Sequence, residues 1–159
     1  MSENMSENYV SNGDTQLVVF KLGREEYGVS ILQVQEIKRM IEIARVPNSP
    51  SYIKGVVNLR GNILPVIDLK KRLGLSLGED TDDTRVIIVK IEETVVGIIV
   101  DAVSEVTSID SKSIEPPQTI VNGVNAQYLT GVGKHDDRLI ILLNLEAIVG
   151  FDQEPGKNN

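Results

Sequence analysis

The single histidine of the chain, His135, lies in the stretch GKHDDR beside Asp136 and Asp137. A histidine next to carboxylates can act as a general base or as a metal ligand. One histidine without partners at ligand spacing is nevertheless a weak signal for such a centre. Adjacent polar residues of this kind are typical of a solvated hairpin loop, and we interpret the stretch in that way.

Three other patterns could carry chemistry, and each lacks a necessary part. The sequence GVGK resembles a phosphate loop, but Tyr128 stands where that motif needs glycine and His135 where it needs Ser or Thr. The run DTDDT at 80–84 lacks the spaced acids, central glycine and closing glutamate of a calcium loop. Asp101 and Glu105 could act as an acid/base pair, but only Glu105 has a counterpart in the repeat described below.

The sequence therefore predicts no catalytic residue, no metal site and no cofactor, and we expect the protein not to be an enzyme. The absence of cysteine excludes disulfides, thiolate metal sites and cysteine nucleophiles. A hydrolase or transferase that uses His135 is the enzyme alternative, and a His135→Ala variant with unchanged activity would remove it.

The charge and hydropathy of the chain limit the kinds of partner that the protein can bind. Lys and Arg number 16 and Asp and Glu 23, so the net charge is −7, which disfavours binding to a phosphate backbone. Aromatic residues make up 4% of the chain, too few for base stacking. No apolar run approaches the roughly 20 residues of a membrane-spanning helix, and the start MSENMSEN is not a hydrophobic signal. We expect a cytoplasmic protein without direct membrane insertion.

The chain reads as two similar halves between polar ends. Residues 1–13 and 152–159 contain few apolar groups, and we predict flexible tails there. The acidic stretch LGEDTDDT at 77–84 separates the halves. A shift of 69 residues, and of 76 after a seven-residue insertion, aligns an ordered series of pairs that indicates an internal duplication: Lys21 and Lys90, Gly28 and Gly97, Val34 and Val103, Glu36 and Glu105, Pro47 and Pro116, Gly55 and Gly131, Asp68 and Asn144, Leu69 and Leu145, Gly74 and Gly150.

Each half is predicted to be mainly β. Short runs rich in β-branched residues, such as QLVVFKL, TRVIIVKI and RLIILLNL, are bounded by Gly, Pro, Asp or Asn, and their continuous apolar character suggests small closed barrels. Short helices are expected at 68–74 and 144–150. SILQVQEIKRMI could form an amphipathic helix, but a tight turn followed by a strand is preferred. We expect two β-barrel subdomains, at 14–80 and 81–151.

The stretch GVVNLRGNILPVIDL at 55–69 places an arginine inside an otherwise apolar segment. Gly61 and Asn62 suit the positive φ of a tight hairpin, so Arg60 lies near a turn and projects outward. Two interpretations stay open: Arg60 either solubilises the turn or offers its guanidinium to the carboxylate of a partner.

Four segments carry a resemblance to a known family: EEYGVSILQVQEI, PSYIKGVVNLRGNILPVIDL, VVGIIVDAVSEV and YLTGVG followed by DRLIILLNLE. Together they are similar to the CheW-like domain family of chemotaxis coupling proteins over residues 15–150. The same module occurs in the chemotaxis histidine kinase CheA and in CheV. The resemblance implies two packed five-stranded SH3-like β-barrels, and the first strand could cross over between them.

The resemblance also implies a function. Such proteins couple chemoreceptors to the kinase CheA without catalysis, at receptor arrays on the membrane. It implies that the receptor's cytoplasmic helical hairpin tip binds at Ile31, Val34, Ile37, Gly55 and Arg60, and it assigns no kinase contact. Val34 and Ile37 could equally be barrel core. A small barrel that binds oligonucleotides is the alternative from another class.

Overall fold

The computed structural model describes residues 13–150, so the predicted tails lie, apart from Gly13, outside the described residues. Strands dominate, and the helices are short. The strands are β1 (Asp14–Leu22), β2 (Glu25–Ser30), β3 (Val34–Arg39), β4 (Ile53–Leu59), β5 (Asn62–Asp68), β6 (Arg85–Ile91), β7 (Thr94–Val100), β8 (Ala102–Asp110), β9 (Ile114–Glu115), β10 (Ile120–Val121), β11 (Val124–Asn125), β12 (Leu129–His135) and β13 (Arg138–Leu143). Two α-helices, Leu69–Leu73 and Leu145–Val149, and three 3₁₀ turns, Ile31–Gln33, Ser111–Ser113 and Ala126–Tyr128, complete the described part.

The strands form two principal sheets, in which the halves of the chain exchange their first hairpins. One sheet has the order β8-β1-β2-β13-β12-β9, and the other has the order β3-β6-β7-β5-β4. The hairpin β1–β2 of the first half therefore lies between strands of the second half, and β6–β7 lies between strands of the first. Each exchanged hairpin makes a parallel pair with the last strand of the other half, β2 with β13 and β7 with β5.

The core explains the continuous apolar runs. Ile87 and Val89 on β6 belong to a central cluster that both sheets build, whereas Val86 and Ile88 belong to a separate cluster confined to the second sheet. Strand β1 alternates in the same way between the central cluster and a cluster confined to the first sheet. Since successive side chains point to opposite faces, a strand that is buried on both faces must be apolar at every position.

The two short helices close the barrels at matched positions. Asp68 and Asn144 cap them, and each side-chain oxygen accepts a hydrogen bond from the backbone N–H of the third helical residue. Arg72 joins the helices, because its Nε donates to the carbonyl of Ile148 at 2.9 Å. Its guanidinium also lies over the rings of Tyr52 and Tyr128, which are counterparts in the repeat, at 4.2 and 5.2 Å.

The structure confirms a mainly β fold of two SH3-like barrels with a few short helices. It also confirms the turn and strand at 31–39 in preference to an amphipathic helix. One detail of the hairpin at 55–69 is wrong: Arg60 and Gly61 take the positive φ values, 51° and 87°, and Asn62 is already the first residue of β5. The boundary between the repeats at residue 80 stays a prediction, and the sheets follow the exchanged hairpins.

Candidate partner-docking surfaces

Strand β3 and the β4–β5 turn meet through an ion pair. Glu36 lies in the middle of β3, between Val34 and Ile37, and its carboxylate accepts hydrogen bonds from the guanidinium of Arg60. The carboxylate of Glu36 also lies 3.5 Å from the ammonium of Lys38. Because β3 is an edge strand of its sheet, this ion pair ties the edge to the turn and fixes the direction of the arginine.

The predicted receptor residues on and before β3 differ in exposure. Ile31 and Val34 are half-buried and pack against the central cluster. Ile37 is 42% exposed, and Leu32, in the 3₁₀ turn before the strand, is 88% exposed. This segment therefore presents apolar side chains to solvent while anchoring its other face in the core.

Arg60 is the predicted residue most accessible to a partner, with 64% of its side chain exposed. It occupies the turn itself, with Gly61 held by a backbone N–H hydrogen bond to the side-chain oxygen of Asn58 at 2.9 Å. A cleft of about 570 Å³ beside it is lined by residues that include Gln35 and Ile63, and Ile63 is 60% exposed. A guanidinium beside exposed apolar side chains is typical of a protein-binding surface.

Gly55 does not reach this surface. It is buried, and a Cβ at its position would lie 2.2 Å from the backbone oxygen of Ala44. Ala44 and Val56 form a backbone bridge at this point, so the glycine lets the β3–β4 loop close the barrel. Its counterpart Gly131 is also crowded, although less so, since its Cβ would lie 2.7 Å from the side chain of Ile114 and 3.0 Å from the backbone oxygen of Glu115.

The second half repeats the ion pair with different residues. Glu105, the counterpart of Glu36, binds Arg138 of β13, which also lies 3.4 Å from Glu26. The hydrogen bond to Glu105 raises the pKa of Arg138, which keeps its charge at every physiological pH. Ile37 and Ile63 likewise have exposed counterparts, Val106 and Leu139. The two barrels therefore carry related but unequal surfaces.

Sequence reasoning missed Glu36, Leu32 and Ile63 as candidates for this surface. The match of Glu36 with Glu105 was a usable signal, because a matched acid in each half suggests a matched salt bridge. Leu32 and Ile63 gave no signal, because exposure of one apolar residue among many cannot be read from a strand-rich sequence.

His135 ends β12, and only Asp136 and Asp137 form the turn that was predicted for the whole stretch. Its Nε2 lies 3.1 Å from the hydroxyl of Thr107 and 3.5 Å from a carboxylate oxygen of Asp136. Within residues 13–150, no three His, Cys, Asp or Glu side chains are grouped closely enough to hold a metal ion. In the same range, no helix is long and apolar enough to cross a membrane.

Two duplicated barrels that present exposed apolar and charged side chains on separate faces define a protein-binding module. The sequence model of the CheW-like domain matches residues 16–152. The chain is 38% identical to the chemotaxis protein CheW of Klebsiella aerogenes, over 87% of this chain and 83% of that protein. It is 36% identical to CheW of Bacillus subtilis, over 84% and 86% of the two chains.

The fold agrees with these sequence matches. The crystal structure of the scaffolding protein TtCheW from Thermoanaerobacter tengcongensis covers 90% of both chains with a TM-score of 0.82 and 40% identity. This chain belongs to the CheW-like domain family. Its role is that of a non-catalytic coupling and scaffolding protein in chemotaxis, and the oligonucleotide-binding alternative is not favoured.

Proposed function

We propose that this protein couples chemoreceptors to the chemotaxis histidine kinase CheA. One surface binds the cytoplasmic helical hairpin tip of the receptor, and another binds the regulatory domain of the kinase. The protein acts in the cytoplasm, where these contacts recruit it to receptor arrays on the membrane. The chemotaxis relatives support the pathway, and the unequal surfaces of the two barrels suit an adaptor that joins two different partners.

The observation that carries the receptor assignment is the junction of β3 with the β4–β5 turn. Exposed Ile37 and exposed Arg60 are linked there through Glu36. A helix of the receptor tip would lay its apolar face against Leu32 and Ile37 and offer a carboxylate to the arginine. Ile31 and Val34 anchor the same segment by packing against the central cluster.

Gly55 contributes to receptor binding indirectly in this proposal. Its lack of a side chain allows the β3–β4 loop to approach β4, and that approach holds the hairpin that carries Arg60. A loss of binding in a Gly55 variant would therefore reflect a distorted barrel.

Replacing Arg60 with Glu tests the receptor assignment. The variant places two carboxylates together and removes the donor, so we expect receptor binding to weaken by about tenfold or more, the range of an interface arginine. The measurement is capture of a purified receptor signalling fragment, with circular dichroism to confirm the fold. The matched control is Arg24→Glu, because Arg24 is an exposed arginine in the β1–β2 turn.

A charge swap separates direct contact from support of the hairpin. In the Glu36→Arg, Arg60→Glu double variant the ion pair is restored with its charges reversed, so we expect receptor binding to stay weak. Recovery of binding to the parent level would show that the ion pair acts only within the barrel. Capture of the kinase regulatory domain is expected to be unchanged in all these variants, and its loss would contradict the separation of the two surfaces.

A further inference from the structure

A second concave surface lies on the barrel built on the second sheet. A cavity of about 840 Å³ is formed by the loop between β3 and β4 and by the start of helix Leu69–Leu73. Its lining shares no residue with the cleft beside Arg60. The two surfaces are therefore distinct.

Among the described residues, three cations line this cavity: Arg45, Lys54 and Lys71. All three are exposed, and none forms an ion pair with another residue in the described part of the chain. Asp68, the one acid among the described lining residues, accepts the backbone N–H of Lys71 at 3.3 Å as a helix cap. The cavity is thus locally basic on a protein whose net charge is −7.

Part of the lining is apolar, and the loop that supplies it is held in place. Val46 is 40% exposed and lies with Pro47 and Pro50 in the lining. The prolines fix the backbone φ, and the hydroxyl of Ser49 donates to the carbonyl of Val46 at 2.8 Å. A loop constrained in this way loses little entropy when a ligand binds.

The fold does not require this charge. Lys54 precedes Gly55 as Thr130 precedes Gly131, and Lys71 takes the capped helical position that Ala147 takes in the other half. The matching strand and the matching capped helix of the other barrel thus carry uncharged residues at these two positions. The cations around this cavity are therefore a property of the surface of its barrel, the one built on the second sheet, and not a requirement of the fold.

We propose that this basic cavity is a docking site for an acidic, partly apolar peptide segment of a partner protein. Acidic groups of the segment would pair with the three cations, and its apolar side chains would cover the valine and the two prolines of the lining. The negative charge of the rest of the molecule would disfavour such a segment elsewhere and direct it to this cavity. Single-stranded nucleic acid fits less well, because none of the described residues that line the cavity is aromatic and available for base stacking.

The experiment uses the full chain and a fluorescein-labelled synthetic peptide that alternates glutamate with leucine, with binding followed by fluorescence anisotropy. The Arg45→Gln, Lys54→Gln, Lys71→Gln triple variant is expected to bind about tenfold or more weakly, since three partly exposed charge pairs are lost. The Arg24→Gln, Lys90→Gln, Lys112→Gln variant removes the same charge from exposed positions outside the cavity. It is expected to bind within about twofold of the parent.

Thermal unfolding shows whether both triple variants are folded, and each single variant of the cavity is measured as well, with a smaller loss expected for each. Equal weakening by the two triple variants would overturn the proposal, because the attraction would then be diffuse. Absence of peptide binding to the parent would overturn it as well, and so would tighter binding of a thymidine oligonucleotide that the cavity variant abolishes. The Arg60→Glu variant is expected to retain peptide binding, and this result distinguishes the proposal from receptor coupling.

Discussion

Gly55 and Arg60 belong to the same hairpin, yet they affect the molecule through different physics. The arginine is exposed and acts through its charge, whereas the glycine is buried under the β3–β4 loop and acts through the absence of a side chain. The family resemblance predicts both as receptor contacts, because a residue needed for closing a barrel and one needed for contact look alike in a motif. Stability measurements can separate them.

Replacing Gly55 with alanine is expected to lower the free energy of unfolding by about 3 kcal/mol or more, since the new Cβ would overlap the backbone of Ala44. Urea unfolding followed by circular dichroism measures this change. The matched control is Gly61→Ala, where φ is also positive but no atom lies within 4 Å of the new Cβ. It should cost only about 1 kcal/mol. Equal costs at the two positions would show that backbone conformation, and not the contact with the loop, requires Gly55.

The titration of Tyr27 makes the stability of the protein depend on pH. Burial, with a smaller contribution from the charge of Glu25, raises the pKa of Tyr27 from 10.0 to about 12. The unfolded chain releases this proton near pH 10, while the folded protein retains it. Stability is therefore complete below pH 10 and falls by roughly 2 to 3 kcal/mol as the pH approaches 12.

The Tyr27→Phe variant should lose this part of the alkaline destabilisation. Its stability at neutral pH should match or exceed that of the parent, because the buried hydroxyl of Tyr27 has no hydrogen-bond partner among the described residues. Urea midpoints of both proteins between pH 8 and pH 12 provide the measurement. Parallel curves for parent and variant would contradict the assignment of the titration to Tyr27.

Among the elements, the sequence was sufficient for the long apolar strands, the two short α-helices and the duplication, but not for β12, whose end at His135 was interpreted as part of a loop. The caps at Asp68 and Asn144 and the β-branched runs are local sequence patterns. Local conformational preferences generally agree with the final fold, so such patterns can be interpreted from the sequence. The choice of which strands pair with each other is not determined by local sequence. The series that aligns Gly28 with Gly97 is the same whether each hairpin pairs within its own half or with the other half, so the residue pattern does not specify the exchange of β1–β2 and β6–β7. Only the family resemblance raised a crossover, and it did so for the first strand alone.

The candidate site shows the same limit at the junction of two elements. The exposure of Arg60 could be predicted, because turn residues project outward. Its partner Glu36 could not, since the strand that carries this acid is separated from the turn by the β3–β4 loop and β4. A matched glutamate in each half indicates that the acid matters but does not identify the cation that it binds.

For the whole molecule, the exchanged hairpins make the two barrels mutually dependent. Ile87 and Val89 of β6 belong to the central cluster with Phe20 and Tyr27 of the first hairpin, while Val86 and Ile88 fill the barrel of the opposite half. Arg72 adds polar bonds between the two short helices at the same junction. The packing therefore holds the related surfaces of the two barrels, around Glu36 and around Glu105, in a fixed relation, which suits a scaffold.

Cutting the chain within the acidic stretch at 77–84 tests this dependence, because residues 1–80 contain β3, β4 and β5 but lack the hairpin that completes their sheet. We expect the separate fragments 1–80 and 81–159 to lack cooperative unfolding transitions, since each would expose the central cluster and a strand edge. Mixed together, they should form a one-to-one complex with the circular dichroism spectrum of the intact chain. The β1–β2 hairpin resembles β6–β7, so fragment 1–80 has an internal substitute available. A stable monomeric barrel from that fragment alone would show that the exchange is optional and that the repeats can fold independently.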